Sequence, residues 1–432
     1  MAVAVVFCLF GKTERKSVEG MKYGCIGEHL PHSFSKVIHA RLASHEYELC
    51  ELTPNEVGAF MEQHDFCGIN VTIPYKQTVI PYLDEMDEAA RMIGAVNTVV
   101  NRDGKLYGYN TDFGGMRAMI LREKLELKEK KVLIFGTGGT SKTARAVATD
   151  LGAAEIVTVS RFAKEGAITY EEAYALHGDA EIVINTTPCG MYPNINGIPA
   201  DMERFSRLEG VVDAIYNPLR SELVLWAQER GIKATGGLYM LVAQAVLASS
   251  YFTGVAYGTD TMEEVYRQVF SSKENIVLIG MPGCGKSTVG SLLAESCGKR
   301  LIDSDTRIVE KSGMPIPEIF AKYGESGFRA QEHDVIEEIA AESGCVVATG
   351  GGAVLDPTNV HALRKNGRIY FLDRPLADML PTDDRPLANS SEAIRKRFEE
   401  RYEIYCRSAD EVIRNFETAE STADEIKRRH NV

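Results

Sequence analysis

The chain has 432 residues, of which 44% are hydrophobic and 25% charged, and its formal net charge is -13. Basic residues are interleaved with acidic ones, and no apolar run reaches the roughly 18 residues that span a bilayer, so we expect no nucleic-acid or membrane partner. The nine cysteines form no C-x-x-C pair, which indicates reduced thiols in a cytoplasmic protein. At roughly 150 residues per domain, the length indicates about three domains.

The first half of the chain has the pattern of two α/β units. Residues 1–20 open with MAVAVVFCLF, which lacks the basic leader of a signal peptide, and are expected to be an extension. In residues 21–110, short apolar runs alternate with helical stretches. Residues 111–236 include KKVLIFGTGGTSKTARAVATDLGAAEIVTVSR, which predicts a strand, a glycine turn, a helix and a second strand.

The second half of the chain starts with a predicted return to the first unit. Residues 237–256 contain the apolar stretch GLYMLVAQAVLASSYFTG and are expected to form this returning helix. Residues 257–274 hold a short predicted helix and the polar SSKEN, and we interpret them as a linker. Residues 275–432 begin within the apolar run ENIVLIG (residues 274–280) and form a further α/β domain with its own glycine loop.

The glycine loop FGTGGTS is typical of a dinucleotide site. Gly136, Gly138 and Gly139 lie between a predicted buried strand and a helix, where glycine lets a pyrophosphate approach main-chain N–H groups. The next strand ends at Ser160 and Arg161, where an NAD site usually has an acidic residue for the ribose 2′-hydroxyl. An arginine there suits the 2′-phosphate of NADP, although it could also be a solvent-facing residue after a strand.

Polar residues follow apolar runs in three segments of the first unit. Lys76 follows a predicted strand in NVTIPYK, Asn97 lies in GAVNT, and Asn110 and Asp112 lie in GYNTD. A lone lysine at a strand end is usually solvated. The short polar groups that accompany it could hold a polyol.

These segments resemble shikimate dehydrogenase. HSFSKVIH, NVTIPYK, GAVNT, GYNTD, GTGGTSKTA, INTTPCGM, YNPLRSELV and GLYMLVAQ match the motifs of that family in order, from about residue 23 to residue 254. The resemblance implies a two-domain dehydrogenase, with an α/β substrate domain and a Rossmann-type NADP domain. It also implies reduction of 3-dehydroshikimate to shikimate by NADPH.

The resemblance assigns roles to individual residues. Lys76 and Asp112 match the catalytic pair. The implied substrate contacts are Ser33, Ser35, Thr72, Asn97, Tyr216 and Gln244, with the two serines holding the carboxylate. The implied cofactor contacts are Gly136, Thr137, Gly138, Gly139, Thr140, Ser160, Arg161 and Gly237.

The implied chemistry leaves two points open. A cationic donor beside a ketone stabilises the developing oxyanion and can deliver a proton, but Lys76 could also act electrostatically while water supplies the proton. Three departures from the family pattern concern binding. Lys36 replaces a frequent proline, Ser160-Arg161-Phe162 replaces Asn-Arg-Thr, and Thr137 and Thr140 replace small alanines. The strictness of NADP over NAD therefore stays open.

A second glycine loop, GMPGCGKS at residues 280–287, fits the P-loop pattern G-x-x-x-x-G-K-[ST] between a predicted strand and a helix. In such a loop backbone N–H groups hold phosphates, Lys286 neutralises the transferring group and Ser287 reaches Mg²⁺. Asp303 and Asp305 follow the next predicted strand. They could contact metal-bound water and a substrate hydroxyl, or simply cap a helix.

The C-terminal motifs resemble shikimate kinase from about residue 274 onward. Besides the P-loop, they are GESGFRAQE, ATGGGAV, DDRPL and RYEIYCRSAD. The resemblance implies a P-loop kinase domain with a parallel sheet, in which ATP and Mg²⁺ phosphorylate shikimate and Asp305 orients the proton of the attacking hydroxyl.

The kinase resemblance also assigns binding residues. The implied shikimate contacts are Asp305, Arg329, Gly350, Gly351, Gly352 and Arg401, with the arginines gripping the carboxylate. The implied ATP contacts are Gly283, Cys284, Gly285, Lys286, Ser287, Thr288 and the lid residue Arg385, and the implied metal contacts are Ser287 and Asp303. The lid sequence before Arg385 is shorter than usual and lacks a second basic residue. Whether Arg374 takes a share in the phosphate contacts stays open.

The sequence as a whole therefore predicts a fused shikimate dehydrogenase and shikimate kinase, two consecutive steps toward chorismate. One alternative is an NAD-linked quinate or shikimate dehydrogenase joined to another small-molecule kinase. Another is a non-catalytic metabolite-sensing regulator, which the presence of Lys76, Asp112, Lys286 and Asp305 disfavours. The sequence does not indicate the oligomeric state or channelling between the sites.

Overall fold

Two units make up the chain in the computed structural model. Among the described residues, one unit comprises those from 22 to 111 together with 245–257, and the other comprises 112–244 together with those from 258 to 430. The structure describes residues 22–30, 35–42, 46–376, 391–414 and 417–430. Within these ranges, no helix is long and apolar enough to cross a membrane.

The first unit is built on a mixed six-stranded sheet. Its strands are β1 (Tyr23–Gly27), β2 (Glu48–Glu51), β3 (Gly68–Val71), β4 (Glu85–Met86), β5 (Thr98–Arg102) and β6 (Lys105–Tyr109), and its helices are α1 (Ser35–Leu42), α2 (Glu56–Gln63) and α3 (Glu88–Ile93), with a short 3-10 helix at Ile80–Tyr82. The strand order is β2-β1-β3-β5-β6-β4. Strand β1 pairs in parallel with β2 and β3, whereas β5 is antiparallel to β3 and β6. The carboxyl ends of β1 and β3 therefore meet the amino end of β5 at one edge.

The second unit starts with a parallel six-stranded sheet. Its strands are β7 (Lys131–Phe135), β8 (Glu155–Ser160), β9 (Ile168–Thr169), β10 (Ile182–Asn185), β11 (Gly210–Asp213) and β12 (Lys233–Thr235), and the helices are α4 (Thr111–Arg122), α5 (Gly139–Asp150), α6 (Tyr170–Leu176), α7 (Glu222–Glu229) and α8 (Leu238–Thr253), with a 3-10 helix at Met202–Arg204. Helix α8 is shared, since its residues from 245 onward belong to the first unit. The order β12-β11-β10-β7-β8-β9 reverses direction at β7. Ligands of such sheets bind at the carboxyl ends of the strands beside this reversal.

The same unit continues with a parallel five-stranded sheet. Its strands are β13 (Asn275–Ile279), β14 (Arg300–Asp303), β15 (Cys345–Ala348), β16 (Gly367–Leu372) and β17 (Glu411–Ile413), and the helices are α9 (Thr259–Lys273), α10 (Lys286–Cys297), α11 (Ser304–Ser312), α12 (Ile316–Ala340), α13 (Pro357–Arg364), α14 (Ser391–Ser408) and α15 (Ala419–His430), with a 3-10 helix at Ala353–Leu355. The order is β14-β15-β13-β16-β17. Strand β13 is fully buried and apolar, as expected for a parallel sheet covered on both faces. The predicted α/β fold class is confirmed.

Helix α9 differs from the short helix and polar joint that the sequence predicted for residues 257–274. It runs for 15 residues to Lys273, and β13 begins two residues later. Met262, Val265 and Val269 are buried at the three- and four-residue spacing of one helix face. The buried Lys299 binds carbonyl groups at the end of this helix. Its Nζ donates to Ser271 O (2.8 Å), Ser272 O (3.1 Å) and Glu274 O (3.0 Å). The polar SSKEN is therefore a capped helix end.

Candidate active sites

Polar side chains lie at one edge of the sheet in the first unit. Thr72 directly follows β3, and its N–H donates to Ile26 O at 3.0 Å. A Cβ on Gly27 would lie 2.7 Å from Thr72 Cγ2, so only glycine fits there. Ser35 begins α1, while Ser33 lies outside the described residues. The structure thus brings Thr72 next to the end of β1.

Asn97 is oriented by hydrogen bonds to its side-chain oxygen. Oδ1 accepts from Thr111 N (2.7 Å), Thr111 Oγ1 (3.1 Å) and Thr98 Oγ1 (3.2 Å). The residue is only 3% exposed. Because these donors fix the carboxamide, its Nδ2 group is available as a directed donor. The nearby Asn110 has a structural role instead, since its Nδ2 donates to Ala95 O at 2.8 Å.

Lys76 is half-buried in the turn that follows β3. Its carbonyl accepts from Val96 N at 2.8 Å, which holds its backbone one residue from Asn97. Burial raises the pKa of the Cys25 thiol to about 12, and the positive charge of Lys76 acts in the opposite direction. The positive charge of Lys76 is therefore close enough to β1 to act on the Cys25 thiol. Cys25 itself stays a neutral thiol and is not a nucleophile.

A second layer of polar residues supports this edge, and the sequence analysis missed it. Tyr47 donates to Asn70 Oδ1 at 2.7 Å, and Asn70 Nδ2 donates to Thr98 Oγ1 at 3.0 Å. Burial raises the pKa of Tyr47 well above its usual value, while a hydrogen bond with Ser35 acts against this. The phenol is therefore a fixed donor. The sequence did contain one indication of this layer, because an asparagine within the apolar strand GINV needs buried hydrogen-bond partners.

The glycine loop after β7 has the geometry of a dinucleotide site. Gly136 has φ 104°, and a Cβ there would lie 2.7 Å from Thr186 Oγ1. Gly138 caps α5, and a Cβ on Gly138 or Gly139 would meet no described atom within 4 Å. The helix N-terminus is therefore open and free of side chains up to Thr140, which fits a pyrophosphate. The loop also contains Thr137.

Basic groups lie near this loop. Arg161 follows β8, whose Val159 pairs with Phe135 at the end of β7, so Arg161 and the glycine loop lie at the same sheet edge. Its guanidinium carbon is 5.9 Å from the centre of the exposed Phe162 ring. Lys164 Nζ donates to Thr137 Oγ1 at 3.4 Å, a contact that the sequence did not predict. Two cations can therefore reach a phosphate group bound at this edge.

Asp213 anchors the segment that carries Tyr216. It is buried at the end of β11, and its carboxylate accepts from Asn185 Nδ2 (3.0 Å), Ile215 N (3.0 Å) and Ser221 Oγ (2.5 Å). Burial raises the pKa of Asp213 to about 6, against the effect of these hydrogen bonds. A Cβ on Gly237 would lie 2.2 Å from Ala214 O, so glycine is required beside this segment.

Asp112 and Gln244 lie on helices of the second unit that pack closely. Asp112 is in the first turn of α4, and Gln244 is in α8, where its Nε2 donates to Leu241 O at 2.9 Å. A Cβ on Gly115 would lie 3.0 Å from Gln244 Cβ. The close approach of α4 and α8 at Gly115 therefore brings the predicted catalytic acid near the predicted substrate amide.

The P-loop has backbone angles that require glycine. Gly280, Gly283 and Gly285 have φ of 146°, 81° and 98°. Lys286 is 8% exposed, and its Nζ donates to Gly280 O (2.8 Å) and Met281 O (2.9 Å). The side chain of Cys284 is buried beneath the loop, and Thr288 lies in the first turn of α10. The ammonium group is thus held directly under the phosphate-binding turn.

Ser287 and Asp303 form an oxygen-rich pair beside the loop. Ser287 Oγ donates to Asp303 Oδ2 at 2.8 Å. The other oxygen, Oδ1, accepts from Asp305 N (3.0 Å) and Thr306 N (3.2 Å), so Asp303 also caps α11. The described ranges contain no cluster of three or more metal-ligating side chains. A hydroxyl, one carboxylate, waters and phosphates suit Mg²⁺, which is usually held by few protein groups.

The triple glycine after β15 brings the predicted acceptor residues together. A Cβ on Gly350 would lie 2.6 Å from Asp305 Oδ1, and one on Gly352 would lie 2.2 Å from Arg329 Nη1. A Cβ on Gly351 would lie 2.7 Å from Pro282 in the P-loop. Side chains at these positions would therefore displace the acid, the arginine or the phosphate loop.

Two arginines lie beside the triple glycine. Arg329 Nη1 donates to Glu332 Oε2 at 2.5 Å, and Arg401 Nη1 donates to Gly351 O at 3.2 Å. Burial raises the pKa of Glu332, while the charge of Arg329 opposes this and that of Asp305 adds to it. Arg329 and Arg401 can therefore present cationic groups to an acceptor that carries a carboxylate.

The lid can be described only in part. Arg385 lies outside the described residues. Arg374, after β16, has Nη1 at 3.8 Å from the position that a Cβ on Gly285 would take. Its Nε is buried and makes no hydrogen bond to any described residue. A guanidinium group with unused donors therefore lies at the mouth of the P-loop.

Family models match both parts of the chain. One described as "Shikimate dehydrogenase substrate binding domain" matches residues 25–99, and one described as "Shikimate kinase" matches residues 282–430. Shikimate dehydrogenase (NADP(+)) of Clostridium perfringens is 34% identical over 264 residues, which cover 57% of this chain and 97% of that protein.

Solved structures agree with the sequence comparison. A chorismate mutase/shikimate 5-dehydrogenase fusion protein from Clostridium acetobutylicum is 32% identical with a TM-score of 0.54, covering 58% of this chain and 97% of that one. Shikimate 5-dehydrogenase from Thermus thermophilus in complex with NADP(H) and shikimate is 26% identical with a TM-score of 0.52, covering 57% and 99%. The chain belongs to the shikimate dehydrogenase family and joins a dehydrogenase of that family to a shikimate kinase domain in one bifunctional enzyme.

Proposed function

We propose that the chain reduces 3-dehydroshikimate to shikimate with NADPH and then phosphorylates shikimate with ATP and Mg²⁺. The observation that carries this proposal is the presence of two glycine loops of different design, each between a parallel strand and a helix, in a chain with both domains. The product of the first reaction is the acceptor of the second.

The dehydrogenase roles follow the motifs and the polar edge of the first unit. NADPH would supply a hydride to the ketone carbon. The oxygen that gains negative charge needs a cationic donor, which we assign to Lys76, and Asp112 is the second catalytic residue that the family motifs assign. Asn97, with its directed Nδ2, and Thr72 would bind hydroxyl groups of the substrate ring. Arg161 and Lys164 would hold the 2′-phosphate and favour NADP.

The kinase roles follow the acceptor pocket and the P-loop. The acceptor hydroxyl oxygen attacks the γ-phosphorus, the bond to the leaving ADP oxygen breaks, and Asp305 takes the hydroxyl proton. Lys286 moves from its backbone contacts to the transferring phosphoryl group. Mg²⁺, held beside Ser287 and Asp303, would neutralise charge on the β- and γ-phosphates. Arg329 and Arg401 grip the carboxylate of the acceptor.

A cytoplasmic location is part of the proposal. Every cysteine in the described portion of the chain is free of disulfides, as suits a reducing compartment.

One assay tests the proposal. Purified chain is given 3-dehydroshikimate, NADPH, ATP and Mg²⁺, while NADPH absorbance and the formation of shikimate 3-phosphate are followed together. We expect NADPH oxidation, followed by phosphorylation of the shikimate formed. Omission of ATP should stop the reaction at shikimate. A chain that prefers quinate and NAD, or that phosphorylates a different acceptor, would contradict the proposal.

Arg374 is expected to share in binding the ATP phosphates. Replacing Arg374 by alanine should raise the KM for ATP about tenfold, because the guanidinium group at the mouth of the P-loop supplies a charge-assisted contact. The KM for shikimate should stay unchanged. The measurement is a steady-state titration of ATP at saturating shikimate.

Arg414 provides the control for Arg374. It is an exposed arginine of the same domain, and its Nε donates to Asp373 Oδ2 at 3.0 Å. An Arg414→Ala variant should keep the wild-type KM for ATP. If Arg374→Ala and Arg414→Ala had the same KM for ATP, Arg374 would not be a phosphate-binding residue.

A further inference from the structure

The segment 214–221, here called the Tyr216 loop, has two kinds of partner. It follows β11 without regular secondary structure and contains Tyr216, a proposed substrate contact. Its first half is bound within the NADP-binding part. Ala214 N donates to Asn185 O at 3.0 Å, and Ile215 O accepts from Gly237 N at 2.7 Å. The conformation of the first half is therefore set by the dehydrogenase.

The second half of the Tyr216 loop has partners in the kinase domain, in addition to the bond from Ser221 Oγ to Asp213. Leu219 N donates to Asn366 Oδ1 at 2.8 Å, and Arg220 N donates to Lys365 O at 2.9 Å. Asn366 is 1% exposed and is itself fixed, because its Nδ2 donates to Ala340 O at 3.0 Å. Two consecutive backbone N–H groups of a dehydrogenase loop thus find their partners in the kinase.

The side chain of Arg220 extends this contact. Its Nη2 donates to Glu274 Oε1 at 2.5 Å, and its Nη1 donates to Arg364 O (3.1 Å) and Gly367 O (3.3 Å). The Glu274 side chain is 6% exposed and that of Arg220 is 25% exposed. Removing one member of a buried pair is costly, because the other charge is left without compensation.

Glu222, the first residue of α7, forms a second connection. Its carboxylate binds Lys365 Nζ at 2.6 Å and His361 Nε2 at 2.7 Å. Burial acts to raise the pKa of Glu222, but the hydrogen bonds from His361 and Lys365 outweigh it and lower the pKa. The Lys365 side chain is 2% exposed, and this carboxylate is its ionic partner.

We propose that the kinase domain holds the Tyr216 loop in the conformation that binds the dehydrogenase substrate. Arg220 and Glu222 are then positioning residues of the dehydrogenase, which act through their contacts with the kinase domain. This inference rests on the proposed function, since it needs Tyr216 to bind the substrate. The partner that the surface fits is the kinase domain of the same chain.

The physical basis is the entropy of an irregular loop. Ordering an irregular loop costs conformational entropy, so a loop that loses contacts to the kinase domain populates several conformations. Apparent affinity falls in proportion to the fraction of chains in the binding conformation. Once the substrate has bound and the loop is ordered, the chemical step is unaffected. The expected signature is a higher KM with an unchanged kcat.

The test compares two arginine variants of the full chain. We expect Arg220→Ala to raise the dehydrogenase KM for shikimate about tenfold with kcat unchanged. Arg230→Ala is the matched control. Arg230 is an arginine eight residues beyond Glu222 that pairs with Glu203 at 2.7 Å within the NADP-binding part. It should keep the wild-type KM.

Hydrogen–deuterium exchange provides a readout that does not require activity. Peptides that contain Leu219 and Arg220 should exchange faster in Arg220→Ala than in wild type, while peptides from β7 and β10 should not change. The kinase-side variant Glu274→Gln should also raise the dehydrogenase KM. Combined with Arg220→Ala, it should add little, because both changes remove the same Arg220–Glu274 ion pair.

Three results would overturn the inference. The first is an Arg220→Ala variant with the KM of Arg230→Ala, and the second is unchanged exchange at Leu219 and Arg220. The third is full additivity of Arg220→Ala and Glu274→Gln. A wild-type chain without dehydrogenase activity would instead refute the proposed function, and exchange would still decide whether the kinase orders the loop.

Discussion

Replacing Lys286 by alanine is expected to lower the kcat of the kinase reaction by about 10³-fold and to leave the dehydrogenase reaction unchanged. The ammonium group lies under the P-loop, where its Nζ donates to Gly280 O and Met281 O. It is the cation best placed to neutralise charge on the transferring phosphoryl group. The measurement is ADP formation at saturating shikimate and ATP, alongside shikimate oxidation by NADP.

Lys311→Ala is the control for this variant. Lys311 lies on α11 of the same domain and pairs with Glu338 at 2.5 Å on the exposed surface. It should retain both activities. An Lys286→Ala chain with the kinase activity of Lys311→Ala would show that phosphoryl transfer occurs elsewhere.

Replacing Lys76 by alanine is expected to lower the kcat of the dehydrogenase by about 10²- to 10⁴-fold, because the transition state loses its cationic donor. The KM should change less, since the donor acts mainly on charge that develops during hydride transfer. Kinase activity should be unchanged. The measurement is NADPH oxidation with 3-dehydroshikimate, and the pH dependence of kcat decides whether Lys76 donates the proton or acts through its charge.

The control for Lys76 is Lys105, an exposed lysine of β6 in the same unit. Lys105→Ala should keep wild-type kinetics. If Lys76→Ala retained the kcat of Lys105→Ala, the assignment of the catalytic lysine would be wrong. A simultaneous loss of kinase activity in Lys76→Ala would point to misfolding rather than chemistry.

The glycine loops could be predicted because their chemistry is local. Gly280, Gly283 and Gly285 adopt φ values that other residues rarely adopt, so their spacing alone defines the turn. The triple glycine is similar, since a Cβ on Gly350 or Gly352 would meet Asp305 or Arg329. In such loops the glycines themselves show where the backbone angle or the available space excludes a side chain.

Contacts between distant segments could not be predicted from the sequence. Tyr47 and Asn70 are 23 residues apart, and Leu219 and Asn366 are 147 residues apart. No periodicity connects such pairs, because their meeting depends on how whole elements pack. Lys164 and Thr137 are a similar case, because a surface lysine becomes a candidate phosphate ligand only once the structure places it beside the glycine loop.

The full length of helix α9 could have been predicted from the spacing of its apolar residues. Met262, Val265 and Val269 mark one helix face. The polar residues at its end suggested a joint, but Lys299 binds their carbonyl groups and keeps them in the helix. Composition alone therefore underestimated the length of this helix.

The central claim is that two separate pockets of one chain bind the same cyclic acid. Titration calorimetry of the full chain with shikimate, in the presence of NADPH and ADP so that neither reaction turns over, tests it most directly. We predict two molecules of shikimate per chain, and one per chain in an Arg401→Ala variant that lacks a kinase-pocket arginine. One molecule per chain in the wild type, or two in Arg401→Ala with unchanged affinities, would contradict the account.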